Sequence, residues 1–185
     1  MLQGGGGLRV CCFGDSNTYG YDPRSFLGGR YAAENRWVDI LQSKTGWEII
    51  NQGMNGREIP RSAVFIPPET ERLILMLGAN DLLQGCEPEK AAERIAHFVS
   101  ALDLPTEKIL WITPPPFAFG EWVQSQKMID DSAAFAQFCL AQATEQNIRC
   151  LDAGRWGVAM AYDGVHFTEQ GHRAFAEGLY KEICL

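Results

Sequence analysis

Five short runs of apolar, β-branched or aromatic residues, at 8–13, 47–51, 72–77, 108–113 and 148–152, constrain the fold of this chain more than any other feature. Each is short enough for a strand, and most are apolar throughout rather than alternating with polar residues. Strands of that kind are covered on both faces, as in a parallel sheet. Parallel neighbours need crossovers, and helical patterns occupy the intervening sequence. Trp37, Ile40, Leu41 and Lys44 share a face in 35–45. Pro88 suits the first turn of a helix whose Ile95, Val99 and Leu102 recur every three or four residues. Residues 124–146 repeat Met128, Phe135, Phe138 and Ala143, and Thr168 suits an N-cap ahead of Phe175, Leu179 and Ile183. Between the second and third runs, Pro60, Pro67 and Pro68 interrupt the pattern, so a helix is least expected there. Strands alternating with helices predict a three-layer α/β fold with a mainly parallel sheet.

No repeat, low-complexity linker or compositional break divides the 185 residues, so one domain is expected over 8–185. The four glycines at 4–7 carry a large ordering entropy, and residues 1–7 are expected to form a flexible leader. Apolar residues make up 46% of the chain, enough for a sizeable core. The net charge of −7, with Arg24, Arg30, Arg36, Arg57 and Arg61 scattered singly, argues against nucleic-acid or membrane partners. No run approaches the ~18 apolar residues of a membrane span. Six cysteines without a CxxC pair or metal-ligand spacing point to a reducing, cytoplasmic compartment, with Cys11, Cys12 and Cys150 read as small core residues.

In an open parallel sheet, ligands bind beyond the carboxyl ends of the strands. The residues just past each run are therefore the informative part of the chain. The first run leads into Gly14-Asp15-Ser16-Asn17-Thr18, the second into Gln52-Gly53-Met54-Asn55-Gly56, and the third into Gly78-Ala79-Asn80-Asp81. The fourth leads into Pro114-Pro115-Pro116-Phe117, and about ten residues after the fifth comes Asp163-Gly164-Val165-His166. A serine hydroxyl is a poor nucleophile until a base takes its proton, and His166 is a base suited to neutral pH. Asp163, three residues earlier, can aim its carboxylate at Nδ1 of that imidazole and fix the tautomer that accepts at Nε2. Acyl transfer also needs donors for the developing oxyanion. The N–H groups of Ser16 and Gly53 and the side-chain amide of Asn80 are candidates. Glycine at 53 lets the amide approach a substrate closely.

These blocks, Gly14-Asp15-Ser16, Gly53, Gly78-x-Asn80-Asp81 and Asp163-x-x-His166, resemble in identity and order the four blocks of the SGNH, or GDSL-type, hydrolases. The resemblance implies a flavodoxin-like α/β/α sandwich with five parallel strands in the order 2-1-3-4-5. It implies Ser16 as nucleophile, His166 as base, Asp163 as its partner, and Gly53 with Asn80 in the oxyanion hole. Asn17 stands where the family's usual name has leucine, and Ala79 where threonine is frequent. Residues 14–21, Asp22-Pro23, Gly29-Arg30-Tyr31 and Arg36-Trp37 further resemble the arylesterase and acyltransferase branch, which is often homo-oligomeric. The implied activity is hydrolysis of small acyl esters, such as aryl esters or O-acetyl groups on sugars, through an acyl-serine, with transfer to alcohols as a variant. No cofactor or metal is implied.

Residue by residue, plainer roles compete. Asp15 and Asp81 read as loop scaffolding, Gly56 as a turn glycine, His97 as a solvated helix residue and His172 as a surface or capping residue. The aromatics Tyr19, Tyr21, Phe26 and Tyr31, and after the fourth run Phe117, Phe119 and Trp122, either pack long loops onto the sheet or wall a small acyl or aryl group. Tyr19, Tyr21 and Phe117 are the candidate pocket residues. The competing function is a non-enzymatic, flavodoxin-like ligand-binding module with residues 14–20 cradling a phosphate. Asp15 counts against it, because a carboxylate repels phosphate.

Overall fold

A computed structural model of the chain describes residues 7–184. The leader expected over 1–7 lies, apart from Gly7, outside the described residues. The elements run β1 (Arg9–Gly14), α1 (Ser16–Tyr19), α2 (Trp37–Thr45), β2 (Glu48–Gly53), β3 (Arg72–Met76), α3 (Ala79–Leu83), α4 (Pro88–Ser100), β4 (Ile109–Thr113), α5 (Gln126–Glu145), β5 (Arg149–Asp152) and α6 (Glu169–Cys184). The five strands form one sheet in the order β2-β1-β3-β4-β5, and every pairing is parallel. This is the doubly covered α/β architecture, and β1, β3 and β4 lie inside it.

Alternate residues of the inner strands face opposite layers, as the pleat requires. Val10, Cys12, Ile74, Met76, Leu110 and Ile112 pack against Trp37, Val38 and Leu41 of α2 and Phe175, Ala176 and Leu179 of α6. Cys11, Phe13, Leu73, Leu75 and Trp111 pack against Ala91, Ile95 and Val99 of α4 and Phe135 and Cys139 of α5. Both faces of these strands are therefore apolar. The edge strands β2 and β5 are more exposed, having a neighbour on one side alone.

Local chemistry sets the helix ends. Pro88 occupies the first turn of α4, Ser125 Oγ accepts Met128 N at the start of α5, and Thr168 Oγ1 accepts Gly171 N at 3.0 Å ahead of α6. Residues 54–71, with their three prolines, contain no helix. Phe138, expected on the buried face of α5, is 37% exposed; Cys139 takes the buried position beside it. Among the described residues no helix is long and apolar enough to cross a membrane.

Candidate active site

The expected site residues lie at or beyond the carboxyl ends of the strands, Gly53 being the last residue of β2. β1 runs directly into α1, a single helical turn that Asp15 caps by accepting Asn17 N at 3.0 Å. Ser16 opens this turn, so its N–H is among the first-turn donors that a helix leaves unsatisfied. Ser16 Oγ lies 3.0 Å from His166 Nε2, and both residues are buried, at 6% and 4% exposure. On the other side of the ring, His166 Nδ1 lies 2.8 Å from Asp163 Oδ2. Asp163 Oδ1 accepts the N–H groups of Val165 (2.8 Å) and His166 (2.9 Å), so one carboxylate both shapes the turn and orients the ring. Burial works to raise the Asp163 pKa, but the bonds from the His166 ring and from the two amides, with the imidazole charge, hold it below the usual carboxylate range.

The loop after β4 closes over this turn through Ala118 N to Gly164 O and Trp122 N to Asp163 O. It thereby presents Trp122 edge-on to His166, ring centres 5.1 Å apart, while Tyr21 packs on the imidazole at 4.6 Å. Of the three expected pocket residues, Tyr21 alone packs against the base. Tyr19 lies under the Arg30 guanidinium, 4.6 Å from the ring centre, and its carbonyl accepts Arg30 Nε. Phe117 is a core residue: it is buried against the α4 and α5 layer, and its N–H donates to Ser132 Oγ of α5.

Asn80, at the start of α3, donates through Nδ2 to Arg57 O at 3.0 Å. Arg57 lies outside the expected site residues yet ties three of its segments together. Its guanidinium donates to Gly14 O and Gln52 O and lies 4.1 Å from the Phe13 ring centre. Asp81 acts as scaffolding: buried, it accepts Ile59 N and pairs with Arg94 at 2.6 Å. Asp15 is fully enclosed, and burial pushes its pKa up to about 6. An enclosed carboxyl beneath the loop makes residues 14–20 a poor phosphate cradle.

Gly53, whose N–H is the expected third oxyanion donor, is the last residue of β2. Its N–H already donates to Asn51 Oδ1 at 2.8 Å. A β-carbon there would lie 2.0 Å from Tyr19 N and 2.5 Å from Thr18 C, so the missing side chain lets β2 pack against the backbone of α1. Gly56 has φ +70° in the turn closed by Arg57 N to Met54 O, and a β-carbon there would meet open space. Gly53→Ala is therefore expected to cost several kcal/mol, on the order of 3, and Gly56→Ala about 1. Urea midpoints of the two variants check this; equal losses would overturn the contrast.

His172, expected at the surface, is wholly buried. Its Nδ1 accepts Trp37 N at 3.4 Å, and its ring lies edge-on to Tyr31 and Phe167. Position alone, six residues after His166, carries no sign of this, because Tyr31 and Trp37 reach it from a distant segment. Burial, with the charges of His166 and Arg36, drives its pKa down to about 3. Its neutral form is the folded one, so its contribution to stability is complete above the unfolded value near 6.5 and is lost as pH falls towards 3. A His172→Gln variant is expected to lose less melting temperature than the parent over that interval, as thermal melts across pH will show. His97 is exposed on α4, as expected.

The model of the GDSL-like Lipase/Acylhydrolase family matches residues 12–174. An isoamyl acetate-hydrolyzing esterase 1 homolog from Bos taurus is 24% identical over 198 residues, covering 89% of this chain and 76% of its own. Among solved structures, a carbohydrate acetylesterase family member from Sinorhizobium meliloti is 27% identical with a TM-score of 0.74, covering 95% of this chain and 97% of that one. The native M. smegmatis aryl esterase shares the fold, with a TM-score of 0.77 at 24% identity over 95% of this chain and 98% of its own. The blocks around Ser16, Asn80 and His166 all fall within the matched residues, and the chain belongs to the GDSL-like lipase/acylhydrolase family.

Proposed function

We propose that this protein is a serine esterase for small, short-chain acyl esters, with Ser16 as nucleophile, His166 as base and Asp163 as its orienting partner. The observation that carries this reading is the buried chain from Ser16 Oγ through His166 to Asp163, with links of 3.0 and 2.8 Å. Ser16 Oγ bonds to the ester carbonyl carbon as its proton passes to His166 Nε2. Asp163 holds the proton on Nδ1 and stabilises the imidazolium that forms. Collapse of the tetrahedral intermediate breaks the bond to the alcohol, which leaves with the proton from Nε2. Water, deprotonated by the same imidazole, then releases the acid and restores Ser16. An alcohol in place of water gives acyl transfer.

The Ser16 N–H and Asn80 Nδ2 are the first two oxyanion donors, the latter having a second hydrogen beyond the one given to Arg57 O. Gly53 would have to release Asn51 to serve as the third. Gly56, in the turn that leads into Arg57, has no acceptor for its N–H among the described residues and is the better donor.

Trp122 and Tyr21 stand against the imidazole, and aromatic walls this close to the base suit a small acyl group on Ser16. Acetyl esters, including O-acetyl groups on sugars and aryl acetates, are the substrates of choice. The S. meliloti and bovine relatives, whose names carry an acetyl ester, support that choice. The net charge of −7 disfavours nucleic-acid partners, and six unpaired cysteines suit a reducing, cytoplasmic setting. Residues 8–185 act as a single hydrolase domain.

The test is reaction with p-nitrophenyl acetate together with intact-mass analysis after a serine-directed fluorophosphonate. Turnover and one adduct mapping to Ser16 are expected. No turnover and no adduct would return the ligand-binding module to the front.

A further inference from the structure

The nucleophile and the base are 150 residues apart in the chain, and their side chains meet through one hydrogen bond. Asp163 orders the turn that carries His166, but all three of its bonds from Val165 and His166 lie within that turn. They fix the ring relative to its own backbone and leave open what docks the turn onto α1.

Asn17 does so. It comes directly after Ser16 in α1 and is 4% exposed. Its Nδ2 donates to Val165 O at 3.1 Å, and its Oδ1 accepts Phe167 N at 2.9 Å. These two backbone groups flank His166 on either side. One amide thus pairs with the chain before and after the base, much as a neighbouring strand would. Its own carbonyl accepts Trp37 Nε1 at 2.9 Å, which anchors α1 to α2 from behind. We infer that Asn17 is a positioning residue, an inference that rests on the esterase reading: its side-chain amide sets the Ser16–His166 distance by clamping the base-bearing turn to the nucleophile's helix. The role requires a donor and an acceptor on one short planar group. Leucine, which stands at this position in the family's usual name, has neither.

Displacing a reacting group by about 1 Å can cost on the order of 100-fold in rate. In Asn17→Leu, the second-order rate constant for phosphonylation of Ser16 by a fluorophosphonate is expected to fall about ten-fold or more. In that reaction the Ser16 oxygen bonds to phosphorus, fluoride leaves and His166 takes the proton, so the rate reads the alignment of the pair. The final stoichiometry is expected to stay at one adduct per chain, because it counts folded sites. With p-nitrophenyl acetate, kcat falls in parallel while KM stays within about three-fold, since Asn17 lies behind the pair and away from the ester.

An unchanged rate constant in Asn17→Leu would overturn the inference. So would reduced stoichiometry with an unchanged rate in the remaining fraction, which marks a purely structural role. Asn17→Ala, free of added bulk, is read in the same way, and failure of both variants to fold would assign Asn17 to stability alone. Absence of any adduct on the parent protein would instead sink the esterase reading itself.

Discussion

Replacing Ser16 with alanine is expected to abolish ester turnover while leaving the fold intact. The substitution removes one oxygen whose hydrogen-bond partner is His166 Nε2. Nothing that shapes the surroundings depends on that oxygen. Asp15 still caps α1 through Asn17 N, Asn17 still clamps Val165 and Phe167, and Asp163 still holds the ring. Stability should therefore change by less than about 1 kcal/mol, whereas kcat on p-nitrophenyl acetate should fall by about 10⁴-fold or more. What remains would come from binding and the oxyanion donors, which act without the nucleophile. Steady-state rates and urea unfolding of the same preparation check both halves. Retained turnover in a clean preparation would remove Ser16 from the mechanism.

The second large effect belongs to Asp163→Asn. Asparagine keeps an acceptor for the Val165 and His166 amides but faces Nδ1 with an NH₂ group, which favours the tautomer carrying its proton on Nε2. That tautomer cannot accept from Ser16, so kcat should drop by about 10³- to 10⁴-fold. Stability should respond to pH as well. The carboxyl is held below its usual range in the fold, so its contribution is complete above the unfolded value near 4 and is lost as pH falls through the lower folded one. The stability gap between parent and variant is therefore expected to stay level above about pH 5 and to close in acid. Activity of Asp163→Asn within ten-fold of the parent would show that the ring is oriented by something other than this carboxylate.

Much of this architecture is legible because it rests on short-range pattern. A strand buried on both faces must be apolar throughout, and the five apolar runs coincide with β1 to β5 to within a residue or two at each end. Pro88 and Thr168 act where local chemistry would place them. The hidden part depends on partners far along the chain. His172 is met by Tyr31 and Trp37 from more than 130 residues away, and Phe117 is drawn into the core by α5. Gly53 has no room for a side chain against the backbone of Thr18 and Tyr19, 34 and more residues away. Ser16, Asp163 and His166 stand out by residue type and order, whereas Asn17 shows its use once Val165 and Phe167 lie against it.

The pleat of β1 sends two adjacent thiols into different compartments, Cys11 towards α4 and α5 and Cys12 towards α2 and α6. Both are fully buried, and burial pushes the Cys11 thiol up to about 11 and that of Cys12 well above its usual range. An alkylating reagent needs access and a thiolate, so neither sulfur should react while its layer stays closed. The pair is thus a built-in reporter of partial opening. Pulsed alkylation that marks Cys12 first would mean that the layer bearing the α6 helix lifts ahead of the other, and Cys11 first the reverse. Equal labelling would mean that the sheet uncovers both faces in one cooperative event.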